Sequence, residues 1–198
     1  MVKVKSYLHH TFFFSAMRQF FVSVLEVLEV ALIAIGAVFF IRNFLVQPFL
    51  VSGSSMDPNF HDGDYLLVDE LTYRFRAPER GEVAVFRYPN DESTYFIKRV
   101  VGLPGERVSV RNGKVAITNK EHPDGLTLDE KYLPGGMVTG GNTDITLGER
   151  EYFVLGDNRS YSFDSLSWGI LNWKEIIGIV RLRLWPILDL RAFAAPEY

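Results

Sequence analysis

A serine-rich turn and one lysine carry the clearest potential for chemistry in this chain. The serines lie in residues 52–58, with the sequence SGSSMDP, which separate two apolar runs. The lysine is Lys98, and in a strand whose side chains alternate between two faces it shares a face with Phe96 and Val100. Lysine is rarely buried without a partner. The structural alternatives are a plain serine-rich turn and an edge-strand lysine that discourages aggregation.

Burial would turn such a lysine into a base. An unperturbed lysine has a pKa of ~10.4, so well under a thousandth of it is neutral at pH 7. Lowering that pKa to ~7 costs the charged form ~4.6 kcal/mol, and desolvation of a fully buried group can supply a change of ~3–5 pH units. A neutral amine can then accept the proton of a serine hydroxyl, which is a known variant of triad chemistry. The two motifs therefore indicate acyl transfer by a Ser-Lys pair.

Other chemistries have weaker support. His9 and His10 precede the apolar segment, whereas His61 and His122 lie in turn-like stretches where solvated histidines are common. The chain has no cysteine, which excludes disulfides, thiolate chemistry and Cys-containing metal sites. No His-Glu-x-x-His motif or glycine-rich phosphate loop occurs. With 21 basic and 24 acidic residues, the chain lacks the basic excess of a nucleic-acid binder. We expect no metal, no cofactor and no nucleic-acid partner.

Two parts of the chain must position these residues, and the first is an apolar segment near the N-terminus. Its uninterrupted apolar part, residues 30–41, forms only ~18 Å of helix and falls short of the ~20 residues that cross a bilayer. Extending it to residues 22–42 gives enough length and places Glu26 and Glu29 in the first two turns, near the headgroups. We therefore predict a transmembrane helix over residues 22–42. The alternatives are a buried core helix, which would carry both glutamates, and a cleaved signal peptide, which lacks a small-residue cleavage site after the apolar run.

The charges before this segment predict its orientation. Lys3, Lys5 and Arg18 are the only charged residues before the first glutamate, and all three are positive. Positively charged flanks stay on the cytoplasmic side of a membrane. We therefore expect residues 1–21 in the cytoplasm and residues 43–198 outside.

The second part is the remainder of the chain, whose short apolar runs and frequent turn residues predict a β-domain. Predicted strands cover residues 65–68, 82–87, 95–101, 107–110, 114–118, 152–155 and 178–184. Asn112-Gly113 lies between two of them and is a strong hairpin signal. Residues 173–177 fit a single helical turn, and residues 119–150 are predicted to be an inserted loop or small subdomain. The predicted fold is mainly β, a partly closed antiparallel β-domain that follows a single N-terminal transmembrane helix.

Several short blocks occur in an order that points to a known family. They are SMDP at residues 55–58, GDYLLV at 63–68, RGEVAVF at 80–86, IKRVVGLPG at 97–105, GDNR at 156–159, DS at 164–165 and WG at 168–169. Together they resemble the bacterial type I signal peptidases, which are membrane-bound Ser-Lys proteases that remove signal peptides from exported proteins. The resemblance covers roughly residues 20 to 186 and implies the signal-peptidase type of β-domain.

The resemblance implies a role for each of several residues. It places the nucleophile at Ser55 and the general base at Lys98. Ser162 matches the serine that hydrogen-bonds and orients the lysine. Arg99 and Asp157 match a pair that holds the active-site strand against the GDNR loop. The backbone N–H of the nucleophilic serine would be one oxyanion donor, as in acyl transfer generally.

Two positions depart from the family pattern. Some members carry a serine that donates to the oxyanion two positions before the nucleophile, and here Gly53 occupies that position. The second oxyanion donor is therefore open. Many members have an arginine two positions after the aspartate matching Asp164, and here Leu166 stands there. The partner of Asp164 is therefore open as well.

The expected function is a signal peptidase of the bacterial cytoplasmic membrane. Its partners would be the lipid bilayer and preproteins with small residues at an A-x-A-like cleavage site. An extended substrate could add to a strand edge, with shallow apolar pockets for alternate side chains. One alternative is another Ser-Lys protease, such as a self-cleaving repressor, although a membrane anchor stands where a DNA-binding domain would be needed. A second alternative is a catalytically silent, membrane-tethered binding domain.

Overall fold

A computed structural model describes residues 4–44 and 46–194, and the side chains of residues 17–39 and 47–194. The chain divides between Phe44 and Leu45 into a helical unit and a β-unit. The helical unit is α1, Val4–Phe44, which begins well before the predicted membrane span. Within α1, Met17–Phe39 is a stretch of 23 residues that is long and apolar enough to cross a membrane, and it has no buried side chains.

The β-unit contains two antiparallel sheets. Its strands, in chain order, are β1 (Val46–Leu50), β2 (Tyr65–Asp69), β3 (Val83–Tyr88), β4 (Asp91–Gly102), β5 (Arg107–Arg111), β6 (Lys114–Thr118), β7 (Leu126–Thr127), β8 (Thr143–Thr146), β9 (Glu151–Leu155), β10 (Leu171–Asn172), β11 (Ile176–Trp185) and β12 (Arg191–Ala192). The larger sheet has the order β1-β2-β11-β3-β4-β9-β10, with β12 paired to β11. The smaller sheet has the order β7-β6-β5-β8. Two one-turn α-helices, α2 (Thr72–Phe75) and α3 (Ser165–Trp168), lie between strands.

Strand β4 connects the two sheets and carries the lysine. Its first residues are largely exposed, but every residue from Lys98 to Gly102 is buried. Val100 and Val101, although adjacent, pack into different hydrophobic clusters because both faces of this half of the strand are covered. Pairing with β3 places Lys98 opposite Ala84, a small buried residue. The lysine thus stands where the strand enters the core.

The smaller sheet incorporates part of the predicted insertion, residues 119–150. The β5–β6 hairpin turns at Asn112 and Gly113, whose φ angles of 53° and 79° are typical of the predicted Asn-Gly turn. Strand β8 then pairs along β5, with Thr146 opposite Arg107. The insertion therefore supplies two strands that the sequence did not predict, because each is short and has few apolar residues.

The predicted fold class is confirmed: a mainly β, antiparallel unit follows an apolar N-terminal helix. The expected partial closure is not observed, because neither sheet closes on itself through any pairing of the described strands. The predicted turn at residues 173–177 is a shorter 3-10 turn, Trp173–Glu175, and β11 begins directly after it.

Candidate active site

The serine-rich turn is anchored in the core on either side of its exposed residues. Met56 and Phe60 are 1% and 0% exposed and belong to the same hydrophobic cluster as Val51. The N–H of Phe60 donates to the carbonyl of Met56, which closes a tight turn. Ser55, next to the buried methionine, is therefore half-buried at the edge of this cluster, whereas Ser54 is exposed. This packing fixes the position of Ser55 relative to the strands below it.

The turn brings Ser55 against Lys98, which lies 43 positions away in the sequence. The Nζ of Lys98 lies 2.7 Å from the Oγ of Ser55 and also donates to the carbonyl oxygen of Ile97 at 2.9 Å. The amine is 5.2 Å from the ring centroid of Phe96. Lys98 is only 3% exposed. A buried amine and a serine hydroxyl in hydrogen-bond contact are the geometry that general-base activation of a nucleophile requires.

The surroundings of Lys98 favour its neutral form. Burial lowers the pKa of Lys98 from its ordinary 10.5 to about 8, although the carboxylates of Asp164 and Asp157 partly oppose this by stabilising the ammonium. With a pKa of about 8, roughly a tenth of the amine is neutral at pH 7, far more than for an exposed lysine. The same two carboxylates can also stabilise the ammonium that forms when Lys98 takes a proton from Ser55.

Gly156 is the contact point between the serine turn and the loop that follows β9. A Cβ at this position would lie 2.2 Å from the Oγ of Ser162 and 2.4 Å from the carbonyl oxygen of Ser55. The Oγ of Ser162 is buried and has no hydrogen-bond partner among the described atoms. The hydrogen bond to Lys98 that the resemblance implies for Ser162 is therefore not formed here. Only glycine at position 156 allows Ser55 and Ser162 to lie this close to the backbone of the loop.

Arg99 and Asp157 form a buried ion pair that joins β4 to the loop after β9. The Nε of Arg99 lies 2.8 Å from Oδ1 of Asp157, and Nη2 lies 2.5 Å from Oδ2. Arg99 also donates to the carbonyl of Gly81 at 2.7 Å. Asp157, which is fully buried, accepts a further bond from Nδ2 of Asn59 at 2.9 Å. The paired residues are brought together as expected, whereas no sequence signal pointed to Asn59.

Asp164 and Gly53, the residues concerned by the two departures from the family pattern, both have hydrogen-bond partners in the fold. Asp164 accepts from the N–H of Gly156 at 2.9 Å and from the N–H of Leu166 at 3.1 Å, and thereby caps α3. The partner that the missing arginine left open is thus the backbone. Gly53 has φ +93° and donates its N–H to Asp62 at 2.8 Å. A serine there would have to adopt a backbone conformation that side chains disfavour.

The loop after β9 also holds the serine turn directly. The N–H of Asn158 donates to the carbonyl oxygen of Ser55 at 3.0 Å, and its Nδ2 donates to the carbonyl oxygen of Ser54 at 3.0 Å. The alternative bases lie elsewhere: His61 and His122 are exposed, and Nε2 of His61 lies 3.9 Å from Oδ1 of Asp57. Neither histidine is described in contact with Ser55.

A cleft of about 340 Å³ opens beside the Ser55–Lys98 contact. Its apolar wall includes Phe49, Val51, Leu66, Val85 and Ile97, and its aromatic rim includes Tyr95, Phe96, Tyr161 and Phe163. The hydroxyl and the amine are thus placed where a peptide in the cleft would meet them, beside surfaces suited to apolar side chains.

The sequence profile described as "Signal peptidase, peptidase S26" matches residues 24–185 of the chain. The chain belongs to this family. The "Probable signal peptidase I-2" of Synechocystis is 36% identical over 164 residues, which cover 79% of this chain and 69% of that protein. The "Signal peptidase IB" of Staphylococcus aureus is 30% identical over 176 residues, which cover 83% of this chain and 91% of that protein. A crystal structure of a signal peptidase I from Enterococcus faecalis is 28% identical, with a TM-score of 0.44 over 52% of this chain and 97% of that chain.

These findings confirm the resemblance to type I signal peptidases. As a member of the family, the chain is a serine endopeptidase, and its membership supports the removal of signal peptides from preproteins. The matched region includes most of the apolar stretch Met17–Phe39 as well as strands β1 to β11. Membership of the family does not by itself assign a role to any individual residue.

Proposed function

We propose that this protein cleaves signal peptides from exported preproteins with Ser55 as nucleophile and Lys98 as general base. The observation that carries the proposal is the 2.7 Å contact between Ser55 Oγ and an amine that is only 3% exposed. A lysine in this environment is poised to take a proton rather than to pair with an acid. The alternative of a silent binding domain offers no reason for burying an amine against a serine hydroxyl.

The proposed reaction follows the usual course of acyl transfer. Neutral Lys98 takes the proton of Ser55 as Oγ attacks the scissile carbonyl, and the backbone N–H of Ser55 donates to the developing oxyanion. The ammonium of Lys98 then gives its proton to the leaving amine, so that an acyl-enzyme remains on Ser55. Lys98, neutral again, takes a proton from the water that attacks this ester, and the resulting ammonium returns the proton to the departing Oγ of Ser55.

Residues around Lys98 would stabilise the ammonium that forms when the lysine takes a proton. The carboxylates of Asp157 and Asp164 favour the ammonium form, which the proton transfer from Ser55 to the neutral amine creates in each catalytic cycle. The unpartnered hydroxyl of Ser162 is a further group that could accept from the ammonium when it forms. We assign these three residues and Arg99 to positioning and charge stabilisation rather than to bond making.

The substrate would bind as an extended strand in the cleft. Among the described strands, β1 pairs only with β2, and residues 91–98 of β4 pair only with β3. Both strands therefore present an edge that can add a peptide by backbone hydrogen bonds. The apolar wall beside Ser55 would hold the alternate side chains of the peptide, which favours small residues at an A-x-A-like site.

The same proposal includes the position of the enzyme in the membrane. Residues 22–42 would span the bacterial cytoplasmic membrane, with residues 1–21 in the cytoplasm and residues 43–198 outside. Support comes from the apolar stretch Met17–Phe39 and from the positive charges that precede the first glutamate. Because only a short stretch of sequence separates Ser55 from the end of this span, the reaction would take place close to the lipid surface.

The decisive experiment compares Ser55→Ala with Ser54→Ala in the full-length protein in detergent, using a purified preprotein as substrate. We expect Ser55→Ala to abolish cleavage and Ser54→Ala, an exposed neighbour in the same turn, to retain it. Circular dichroism and thermal unfolding should show that both variants are folded. Turnover by Ser55→Ala together with loss of activity in Ser54→Ala would contradict the assignment.

A further inference from the structure

We infer that Glu130, in the inserted segment 119–150, is a positioning residue for the catalytic pair and acts through Arg159. The inference deepens and rests on the function proposed for Ser55 and Lys98. Glu130 lies in a segment that was predicted only to be an insertion, and no sequence motif indicated its ion pair with Arg159.

Glu130 holds a buried arginine by both of its carboxylate oxygens. The Nη2 of Arg159 lies 2.5 Å from Oε1 of Glu130, and Nη1 lies 2.8 Å from Oε2. The arginine is 6% exposed, and its guanidinium also donates to the hydroxyls of Tyr132, at 3.1 Å, and Thr139. Bidentate geometry fixes the plane of the guanidinium as well as its distance. The segment 130–139 therefore determines where this side chain points.

Arg159 transmits that position to the catalytic serine. Its Nε donates to the carbonyl oxygen of Gly156 at 3.0 Å. Gly156 lies directly against the carbonyl of Ser55 and the side chain of Ser162, with no space even for a Cβ. A shift of the Gly156 peptide would therefore move both serines. Through the side chain of Arg159 and the backbone of Gly156, Glu130 is connected to the serine that contacts Lys98.

Tyr132 connects the same segment to Arg99 and Asn59, which hold Asp157. Its ring lies 4.1 Å from the guanidinium carbon of Arg99, and its carbonyl oxygen accepts from Nδ2 of Asn59 at 2.9 Å. The same amide of Asn59 donates to Asp157, the ion-pair partner of Arg99. The Tyr132 hydroxyl also donates to Glu130 at 2.6 Å, so both contacts of the segment are part of one network.

Loss of the Glu130 carboxylate should affect the chemistry more than the fold. Glu130 is only half-buried, and its carboxylate contributes hydrogen bonds rather than apolar packing. Without its partner, the buried charge of Arg159 would turn towards the remaining carboxylate, Asp157, and release the carbonyl of Gly156. The loop would then loosen over the site, and water would reach Lys98.

The test is Glu130→Gln in the full-length protein, assayed in detergent with a signal-peptide substrate over a range of pH. We expect kcat to fall by roughly tenfold to a hundredfold, as for a misplaced catalytic group, with little change in KM. Because a more hydrated lysine binds its proton more tightly, the acidic limb of kcat/KM should also move to higher pH. A purely structural role would lower the fraction of active enzyme without moving that limb.

Asp144→Asn is the matched control. Asp144 lies in the same insertion, and it forms ion pairs with the exposed side chains of Arg107 and Arg111, neither of which belongs to the Gly156 loop. Removing its charge should leave kcat, KM and the pH profile unchanged. A double variant, Glu130→Gln with Arg159→Gln, should lose no more activity than Arg159→Gln alone, since Glu130 acts through Arg159.

Several outcomes would overturn the inference. They are a wild-type kcat and pH profile in Glu130→Gln, a rise in KM alone, or additive losses in the double variant. If Glu130→Gln does not fold, Glu130→Asp keeps the charge with a shorter reach, and it should show a smaller fall in kcat with the same direction of pH change. An unchanged profile there would likewise contradict the role. Cleavage by Ser55→Ala would instead show that the proposed function itself is wrong.

Discussion

Replacing Lys98 with methionine should remove activity and yet stabilise the protein at neutral pH. The side chains are similar in length and volume, but methionine carries no charge to be buried. The fall in the pKa of Lys98 from 10.5 to about 8 corresponds to about 3 kcal/mol of penalty on the charged form in the folded state. The free energy of unfolding of Lys98→Met should therefore exceed that of the wild type by up to about 3 kcal/mol at pH 7.

The pH dependence of this difference has a definite sign. Below pH 8, Lys98 is protonated in both the folded and the unfolded state, so the wild type bears the full penalty. Between pH 8 and pH 10.5 the unfolded state binds more protons than the folded state, so the stability of the wild type rises with pH. The advantage of Lys98→Met should shrink over this window and disappear above it. Other titrating groups are common to both proteins and cancel in the comparison.

Paired urea denaturation of the two full-length proteins in detergent, at pH 7, 8, 9 and 10, measures the difference directly. For a domain of this size, each kcal/mol moves Tm by ~2–4 °C, so thermal unfolding should also show an increase of several degrees at pH 7. An advantage that is absent at pH 7, or one that stays constant with pH, would show that burial does not control the charge of Lys98. That result would also remove the physical basis for its role as a base.

The candidate site and the proposed membrane span each lead to further testable outcomes. Lys98→Arg should cleave preprotein no faster than Lys98→Ala, because arginine stays protonated at any working pH; near wild-type cleavage would remove lysine from the mechanism. Gly156→Ala should lose about 1–3 kcal/mol or more of stability through overpacking, together with most of its kcat. Gly135→Ala is the control, because no atom lies within 4 Å of the added Cβ. Equal urea midpoints for the two variants would contradict the crowding at Gly156. Protease added to spheroplasts should degrade residues 43–198, and protection of these residues would show that the orientation is reversed.

Local pattern was sufficient to predict most of the elements. The alternation of apolar residues predicted the long strands, and Asn112-Gly113 predicted the hairpin that the structure contains. Strands β7 and β8 were missed because a strand of two to four residues carries too little periodicity to identify. Their positions depend on pairing with β6 and β5, which is a property of the sheet and not of the segment.

The candidate site shows the same division. The order of short blocks indicated Ser55, Lys98 and the GDNR loop through their resemblance to the motifs of a known family. The sequence also indicated that a lysine on an apolar strand face is unusual. It did not determine that the amine would be 3% exposed and 2.7 Å from a hydroxyl 43 positions away, since that requires the serine turn and β4 to pack together.

The supporting contacts were decided by the tertiary structure alone. Leu166 left Asp164 without an expected partner, and the fold supplies backbone N–H groups instead. The Glu130–Arg159 pair joins an insertion to a loop 29 positions away, and no local pattern distinguishes this glutamate from a solvated one. Sequence pattern thus indicated the candidate reactive residues and predicted most of the longer strands. Burial, which sets the pKa of Lys98, depends on contacts between distant segments, and only the folded chain brings these together.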